Sequence, residues 1–377
     1  MTIPSLLPGA VRPPPAGLEP SPLARFREIL ACPHCSGPLG LASRRLECLA
    51  CGRLFAIEDG IPRLFAPSEP TDDRPDVTER TKAFYEETPF PGYDDFDDVA
   101  SLVDKARAGG FARMLDEAIA PGARVLECGC GTGQLSNFLS LGNRTVFATD
   151  ISMASLGLGH TFQNAHALSR VQFLEMNLLK PAFRPGTFDV VMSLGVLHHT
   201  SDPFRGFSTL ARLVRPGGHL VVGLYHRYGR LLTDARRVLF RLFGRRSHLF
   251  DVNLRDRKNE RRRWAWFKDQ YLHPHESKHT LGETLRWISA CNLRFVKSVP
   301  RFKAFDPLTV EDDLFAEEAP PRPWQRRLFE VGMTGFHCAD GGLFVVIARA
   351  SDASAMATDA GSSGGGPAQR SSRKEEP

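Results

Sequence analysis

From residue 123 onward, short apolar runs alternate with stretches whose apolar residues recur every three or four positions. ARVLEC (123–128), RTVFATD (144–150), VQFLEMN (171–177), FDVVMSLG (188–195) and GGHLVVGLY (217–225) read as strands. Between them, TGQLSNFLSL (132–141) puts Leu135, Phe138 and Leu139 on one helical face. SMASLGLGHTFQNAHALS (152–169) and PFRGFSTLARLVR (203–215) repeat that spacing. Repeated β-α units predict a parallel sheet with helices on both faces. Later come a helix, TLGETLRWISACN (280–292), and two strands, LRFVKSV (293–299) and GGLFVVIARA (341–350). The expected class is α/β, a doubly wound sheet of seven mostly parallel strands spanning 105–350. Residues 226–280 and 300–341 are inserts in it, the second ahead of the last strand.

The pattern changes before residue 67. Residues 1–24 are Pro-rich and aperiodic, and residues 351–377 carry SSGGG and SSRKEEP; both are expected to be disordered. Residues 25–66 form a small unit around CPHC (Cys32, Cys35), a 12-residue spacer and CLAC (Cys48, Cys51). Two such knuckles suit four thiolates around one tetrahedral Zn²⁺, and in so short a unit the metal would supply much of the folding energy. The alternative is four reduced, buried thiols. With sulfur at all four positions the zinc would be structural. The run CGRLFAIEDGIPRLF (51–65), with its turn Asp59-Gly60-Ile61-Pro62, resembles the zinc-ribbon family whose free-standing members activate tRNA, rRNA and protein methyltransferases. Here the ribbon precedes a larger domain. Residues 67–104 read as a linker, with a candidate lid in TKAFYEETPFPGYDDF (Phe84, Tyr85, Phe90, Tyr93); the alternative for these aromatics is packing between ribbon and main domain.

After the first strand of the main domain comes ECGCGTGQL, with Gly129, Gly131 and Gly133 at every second position. In an open parallel sheet, ligands bind beyond the carboxyl ends of the strands. A nicotinamide site would read G-x-G-x-x-G with a pyrophosphate at the helix N-terminus. The spacing here is G-x-G-x-G, and Glu127 stands two residues ahead, which suits a cationic group better than a phosphate. The stretch resembles motif I of the class I S-adenosylmethionine (SAM)-dependent methyltransferases, with its Rossmann-like fold. The resemblance implies SAM as cofactor. It places Glu127 and the three glycines at the methionine moiety, Asp150 and Ile151 at the ribose, and Asn177 and Leu178 at the adenine. The family usually has Asp where this chain has Asn177. Ser193 and Gly195 would floor the methionine sulfur, and LVRPGGHLVVGLY (213–225) matches the family's Pro-Gly-Gly turn. The glycines would let backbone lie against the methionine without a Cβ. Cys128 reads as a strand-end core residue and Cys130 as a loop residue near the cofactor.

On the acceptor side, no catalytic group is compulsory, because the donor is already activated. His198 and His199 follow the fourth strand and are candidate general bases; the alternative is that they pack the loop. Tyr225 and His226 end the fifth strand. His273, His275 and His279 sit just before a helix, as acceptor contacts or, less naturally, metal ligands.

Composition changes this picture in one place. The 377 residues are 42 % hydrophobic and 24 % charged with net charge +5, ordinary for a globular protein. The charge is uneven: from His226 to Arg263 thirteen Lys+Arg stand against four Asp+Glu. Within this block Leu231, Leu232, Ala235, Val238, Leu239, Leu242 and Phe243 recur at helical spacing. The segment could cover an apolar acceptor, rest on an anionic membrane surface, hold RNA phosphates, or be a packed helix with a solvated arginine face. No apolar run reaches the roughly 18 residues of a membrane-spanning helix. The first residues lack a charged region followed by an apolar core, so the expected compartment is cytoplasmic. The sequence thus points to a methyltransferase acting on a small-molecule or lipid-like acceptor. RNA is the rival acceptor, and a non-catalytic SAM-fold scaffold is the rival class.

Overall fold

The computed structural model describes residues 22–42, 45–68, 77–93, 98–243, 251, 254, 260–303, 308–334 and 339–352. Residues 1–21 and 353–377, most of both terminal segments expected to be disordered, lie outside these; Pro22–Ile29 form a 3₁₀ turn. The ribbon supplies β1 (Leu39–Ala42), β2 (Arg45–Cys48), β3 (Leu54–Glu58) and β4 (Ile61–Leu64). Next come α1 (Val77–Glu87), α2 (Val99–Ala108) and α3 (Gly110–Ala118). The segment expected as a linker, 67–104, therefore holds one helix and starts another. The α/β units follow: β5 (Arg124–Cys128), α4 (Gln134–Ser140), β6 (Thr145–Asp150), α5 (Met153–Ala165), β7 (Val171–Met176), β8 (Phe188–Leu194), α6 (Pro203–Leu213) and β9 (Val214–Tyr225). The chain closes with α7 (Leu231–Phe243), α8 (Glu260–Phe267), α9 (Leu281–Ala290), β10 (Leu293–Val299), α10 (Pro323–Gly332) and β11 (Leu343–Ala350). Side chains start several helices as their sequence suggests. Ser152, Asp202 and Thr280 each accept the backbone N–H three residues on, and Pro203 occupies the first turn of α6.

The expected seven strands are present in the order β7-β6-β5-β8-β9-β11-β10, with β11 antiparallel to both neighbours. Their inner residues are buried on both faces, as a parallel sheet covered by helices requires. The sheet does not stop at β7. Strand β4 adds to it in parallel, Arg63 opposite Glu175 and Leu64 opposite Met176, so ribbon and main domain share one sheet of eleven strands. An exposed edge of β7 would leave a row of unpaired N–H and C=O groups, and the ribbon covers it. Two more backbone bonds stitch the same junction, Ala31 N–H to Ala182 O (2.9 Å) and Arg184 N–H to Ile29 O (2.9 Å). Below it, Leu30, Leu39, Leu46 and Phe55 of the ribbon share one apolar cluster with Phe147, Leu174, Phe183 and Phe188. Phe26 meets Phe147 edge-on at 4.9 Å.

At the end of β7 the fully buried Glu175 accepts from Arg63 Nε of β4 at 2.7 Å and from Lys82 Nζ of α1. One carboxylate therefore holds ribbon, α1 and sheet together. Removing it leaves two cations facing a buried gap. Glu175→Ala is expected to cost about 2 kcal/mol or more, read as a lowered melting temperature, with Glu175→Gln intermediate. A drop no larger than that of a surface Glu→Ala control would show that the junction does not depend on this carboxylate.

Candidate functional site

Strand β5 ends in a turn that only glycines make easily. Gly129, Gly131 and Gly133 have φ of +77°, +54° and +70°. A Cβ on Gly129 would lie 2.3 Å from the Val196 side chain, one on Gly131 2.4 Å from Phe90 O, and one on Gly133 2.4 Å from the Phe173 ring. The glycines are thus required by the protein's own packing, before any ligand is considered. The resulting loop turns the N–H of Gly131 onto Asp150 Oδ2 (2.8 Å), while Asp150 Oδ1 accepts from Ser152 N–H (2.9 Å).

Beyond the carboxyl ends of β5, β6, β7 and β8 lies a cavity of about 560 Å³. Glu127, Gly129, Gly131, Asp150, Ile151, Asn177, Leu178 and His199 all line it, as does Cys130. Gly133, Ser193 and His198 do not: Gly133 starts α4, and Ser193 and His198 are fully buried. Cys128 is buried in the core beneath. The charged side chains on the wall are Glu127, Asp150, Asp269 and Lys105, three carboxylates against one ammonium. Burial pushes the Glu127 carboxyl up to about 7, although it accepts a hydrogen bond from Ser136 Oγ. Burial likewise pushes Asp150 up to about 6, against the lowering effect of its backbone N–H donors. Asn177 is already engaged by protein. Its Nδ2 donates to Ala66 O (2.9 Å) and Ser68 Oγ (3.1 Å), and its Oδ1 accepts from Leu179 N–H (3.0 Å).

The candidate lid lies over this loop. Thr132 Oγ1 donates to Pro91 O (2.7 Å), Gln134 Nε2 to Gly92 O (2.7 Å) and Tyr93 OH to Thr132 O (3.0 Å). Tyr85 and Phe90 line the cavity. Phe84 instead packs on His273, and Tyr93 stacks on Phe162. Glu86 accepts from Met153 N–H (2.7 Å) and Ala154 N–H (3.0 Å), a carboxylate from α1 at the N-terminus of α5.

The far end of the cavity is built by residues that sequence reasoning missed. Trp266, Asp269 and Gln270 lie in the 226–280 insert just past its basic block, and a π-helical turn at Lys268–Leu272 buries Asp269 and Gln270 together. Asp269 accepts from Tyr85 OH (2.9 Å) and from Gln270 Nε2 (2.8 Å), and Gln270 Nε2 also donates to Tyr225 OH (2.8 Å). Arg230, fully buried, lies 3.8 Å over the Tyr225 ring and donates to Gln270 Oε1 (2.6 Å) and Glu276 Oε2 (2.6 Å). The only sequence signal was a lone Asp-Gln pair between aromatic residues.

The two candidate histidines differ. His198 stacks on Tyr225 at 3.9 Å, and burial holds its basicity well below the usual range. His199 lines the cavity, stacks on His273 at 3.6 Å and meets His275 O through Nδ1 at 2.8 Å. That contact requires a proton on Nδ1 and leaves the Nε2 lone pair free of one. Burial lowers His199 too, and pushes His273 down to about 2. The His273, His275 and His279 group does not converge on a metal position. Among the described residues, one set does: the Sγ atoms of Cys32, Cys35, Cys48 and Cys51 lie within 4.8 Å of one another. Cys32 and Cys51 are 3.8 Å apart and Cys35 and Cys48 3.4 Å. Zn–S bonds of about 2.3 Å put tetrahedral edges at roughly 3.8 Å, so the four sulfurs fit structural zinc.

Residues 126–222 match the family profile of the methyltransferase domain, and residues 25–60 that of Trm112p-like proteins. The chain thus carries a methyltransferase domain on a Rossmann-like sheet, with a Trm112-like zinc ribbon ahead of it. An uncharacterized protein of Synechococcus sp. is 34 % identical over 46 % of this chain and 48 % of its own length. A ubiquinone biosynthesis O-methyltransferase of Rhizobium leguminosarum is 30 % identical over 37 % of this chain and 56 % of its own. The chain spans about half the length of these curated relatives. Among solved structures, magnesium protoporphyrin IX methyltransferase from Synechocystis with bound SAH is 16 % identical, covering 73 % of this chain and 100 % of its own, at TM-score 0.44. A chain of the complex containing the Haloferax volcanii Trm112 methyltransferase activator is 12 % identical, covering 74 % and 99 %, at TM-score 0.42. No helix among the described residues is long and apolar enough to cross a membrane.

Because the ribbon shares core and sheet with the main domain, removing its metal should weaken both. A strong chelator is expected to lower the melting temperature of the whole chain and to release one zinc per chain, read by a colorimetric indicator. Full retention of the melting temperature after zinc release would show that the ribbon folds without it.

Proposed function

We propose that the chain is a SAM-dependent methyltransferase acting on an apolar, lipid-like small molecule, with the zinc ribbon as a structural part of the enzyme. The observation that carries this reading is one continuous cavity. It joins the glycine loop, Glu127 and Asp150 to a second end made by Tyr85, Tyr225, Trp266 and Asp269. SAM bears a sulfonium and an ammonium and no phosphate, and a wall with three carboxylates favours such a cation. Asp150 can take the ribose diol, as a carboxylate accepts two hydrogen bonds at once. Ile151 packs beside the ribose. Asn177 keeps a second lone pair on its amide oxygen for the adenine amino group, with Leu178 against the ring. The methyl carbon passes from sulfur to the acceptor atom in line, sulfur keeps the electron pair as a thioether, and an O–H acceptor gives up its proton. His199, with its bare Nε2 in the cavity, is the group suited to take that proton; His198 supports the loop from behind.

The acceptor end is apolar except for Asp269, Gln270 and the tyrosine hydroxyls, which favours a hydrophobic body with one polar head. Similarity to relatives named for O-methylation in ubiquinone biosynthesis supports the same class. Against RNA, Arg230 and Arg237 of the basic block are both engaged with Glu276 and so withdrawn from phosphate contact.

Calorimetric titration tests the cofactor. In the free site Glu127 is largely protonated below about 7, and a cationic ligand favours its carboxylate. Binding should therefore release a proton, and affinity should rise about tenfold between pH 6 and pH 8. Glu127→Gln should weaken binding and flatten that rise; binding of NAD⁺ and not of SAM would overturn the reading. For the acceptor, methyl-labelled SAM is incubated with organic-soluble metabolites and, separately, with RNA. Label is expected in the organic fraction, and label in RNA alone refutes the lipid-like assignment. His199→Ala should then lower turnover by about a hundredfold or more, with SAM affinity kept within about twofold; unchanged turnover would remove His199 as the base.

A further inference from the structure

Helix α7 is packed with its apolar side outward. Leu231, Ala235, Val238 and Leu242 follow at i, i+4, i+7 and i+11 and form one stripe. Leu231, Leu232, Val238 and Leu242 are 52–70 % exposed, and Ala235 is exposed with them. The side turned into the protein carries Thr233, which is buried, Arg237, which pairs with Glu276 at 2.6 Å beside Arg230, and one aromatic ring, Phe240, edge-on against Phe267 and Tyr271. A surface helix of a water-soluble domain does the reverse, burying its apolar stripe. Scattered surface leucines need no account, but a whole helical stripe does.

A second stripe lies close by. On α10, Trp324, Leu328 and Val331 recur at i, i+4 and i+7 and are 60 %, 43 % and 65 % exposed. The end of α10 adjoins the start of α7: His226 Nε2 lies 2.9 Å from Glu330, and the His226 ring packs edge-on against Phe329 at 5.7 Å. Tyr228 is exposed at this joint. The charges around the stripes are mostly positive. Arg227, Arg241 and Arg327 are exposed, whereas Asp234 is paired with Lys278 and Arg237.

We propose that the outer faces of α7 and α10 form a docking surface for an anionic lipid bilayer. The leucines and valines enter the acyl boundary, Trp324 and Tyr228 sit at headgroup level, and the arginines meet the lipid phosphates. A nucleic-acid backbone would pair with the arginines and leave the two stripes in water, so the bilayer fits the surface better. The helix begins six residues after Tyr225, and Arg230, just ahead of it, donates to Gln270; Tyr225 and Gln270 both line the cavity. Docking would therefore bring the acceptor end of the cavity to the membrane. This deepens the lipid-like acceptor reading and rests on it for its purpose, while the surface itself stands apart from it.

The test is co-sedimentation of the full chain, without SAM, with vesicles of phosphatidylcholine alone or mixed with phosphatidylglycerol. Binding is expected to the anionic vesicles, weaker in high salt and at least about tenfold weaker for Val238→Glu/Leu242→Glu. Trp324→Ala should weaken it severalfold. SAM titration of the double variant should match the unaltered protein, which shows that it folds. Three results overturn the proposal: no binding to anionic vesicles, equal binding by the double variant, or a concentration-dependent dimer that the double variant abolishes. If the unaltered chain binds SAM but not anionic vesicles, the surface is removed and the enzyme assignment spared; if it binds the vesicles but not SAM, the reverse holds.

Discussion

The arrangement of the ligand end depends on the pairing of β4 with the edge of β7. That pairing carries the chain from the ribbon directly to the mouth of the cavity. Asn177, one residue past β7, grips Ala66 O and Ser68 Oγ as the chain leaves β4. Glu175, at the end of β7, then holds Lys82 of α1, and Glu86 further along α1 meets the N-terminus of α5. The segment that follows lies on the glycine loop. Ribbon, α1 and cavity are thus links of one mechanical chain, and its first link is a strand added to an open sheet edge.

Burial shapes the chemistry of the cavity as much as residue type. Glu127 and Asp150 are ordinary acids in water, yet with low exposure each is held largely protonated until nearer neutral pH. A cationic ligand reverses that balance by supplying the missing partner charge. The same desolvation works on the histidines in the other sense. It keeps the His199 ring neutral, the state in which imidazole can accept a proton. Opposite directions of shift therefore come from one cause, the exclusion of water from a narrow cleft.

The glycines show that a spacing read for a ligand can be required by packing alone. Spacing alone suggested that backbone must approach a ligand at Gly129, Gly131 and Gly133. In the fold each has positive φ, and each would strike protein if given a Cβ: the Val196 side chain, the Phe90 carbonyl and the Phe173 ring. The turn is demanded by the way β5 must pass into α4 while the segment Phe90–Tyr93 lies on top.

The sequence by itself determined the local and periodic features. The β-α alternation, the helix caps at Ser152, Asp202 and Thr280, the two cysteine knuckles and the glycine turn after β5 are set by neighbouring residues. Short-range sterics and periodicity are enough to read them. Only the tertiary structure decided what came from far apart in the chain. The ribbon looked like an appended unit because nothing local reveals that Arg63 will face Glu175 across 112 positions. Asp269 and Gln270, just past the basic block, gave no local sign of their role because their burial comes from a π-helical turn that meets Tyr85 of α1 and Tyr225 of β9. The apolar positions of α7 were legible as a stripe, but not their direction. That was settled by Glu276, which draws Arg230 and Arg237 inward, because a buried carboxylate without a cation costs more than leucines left in water.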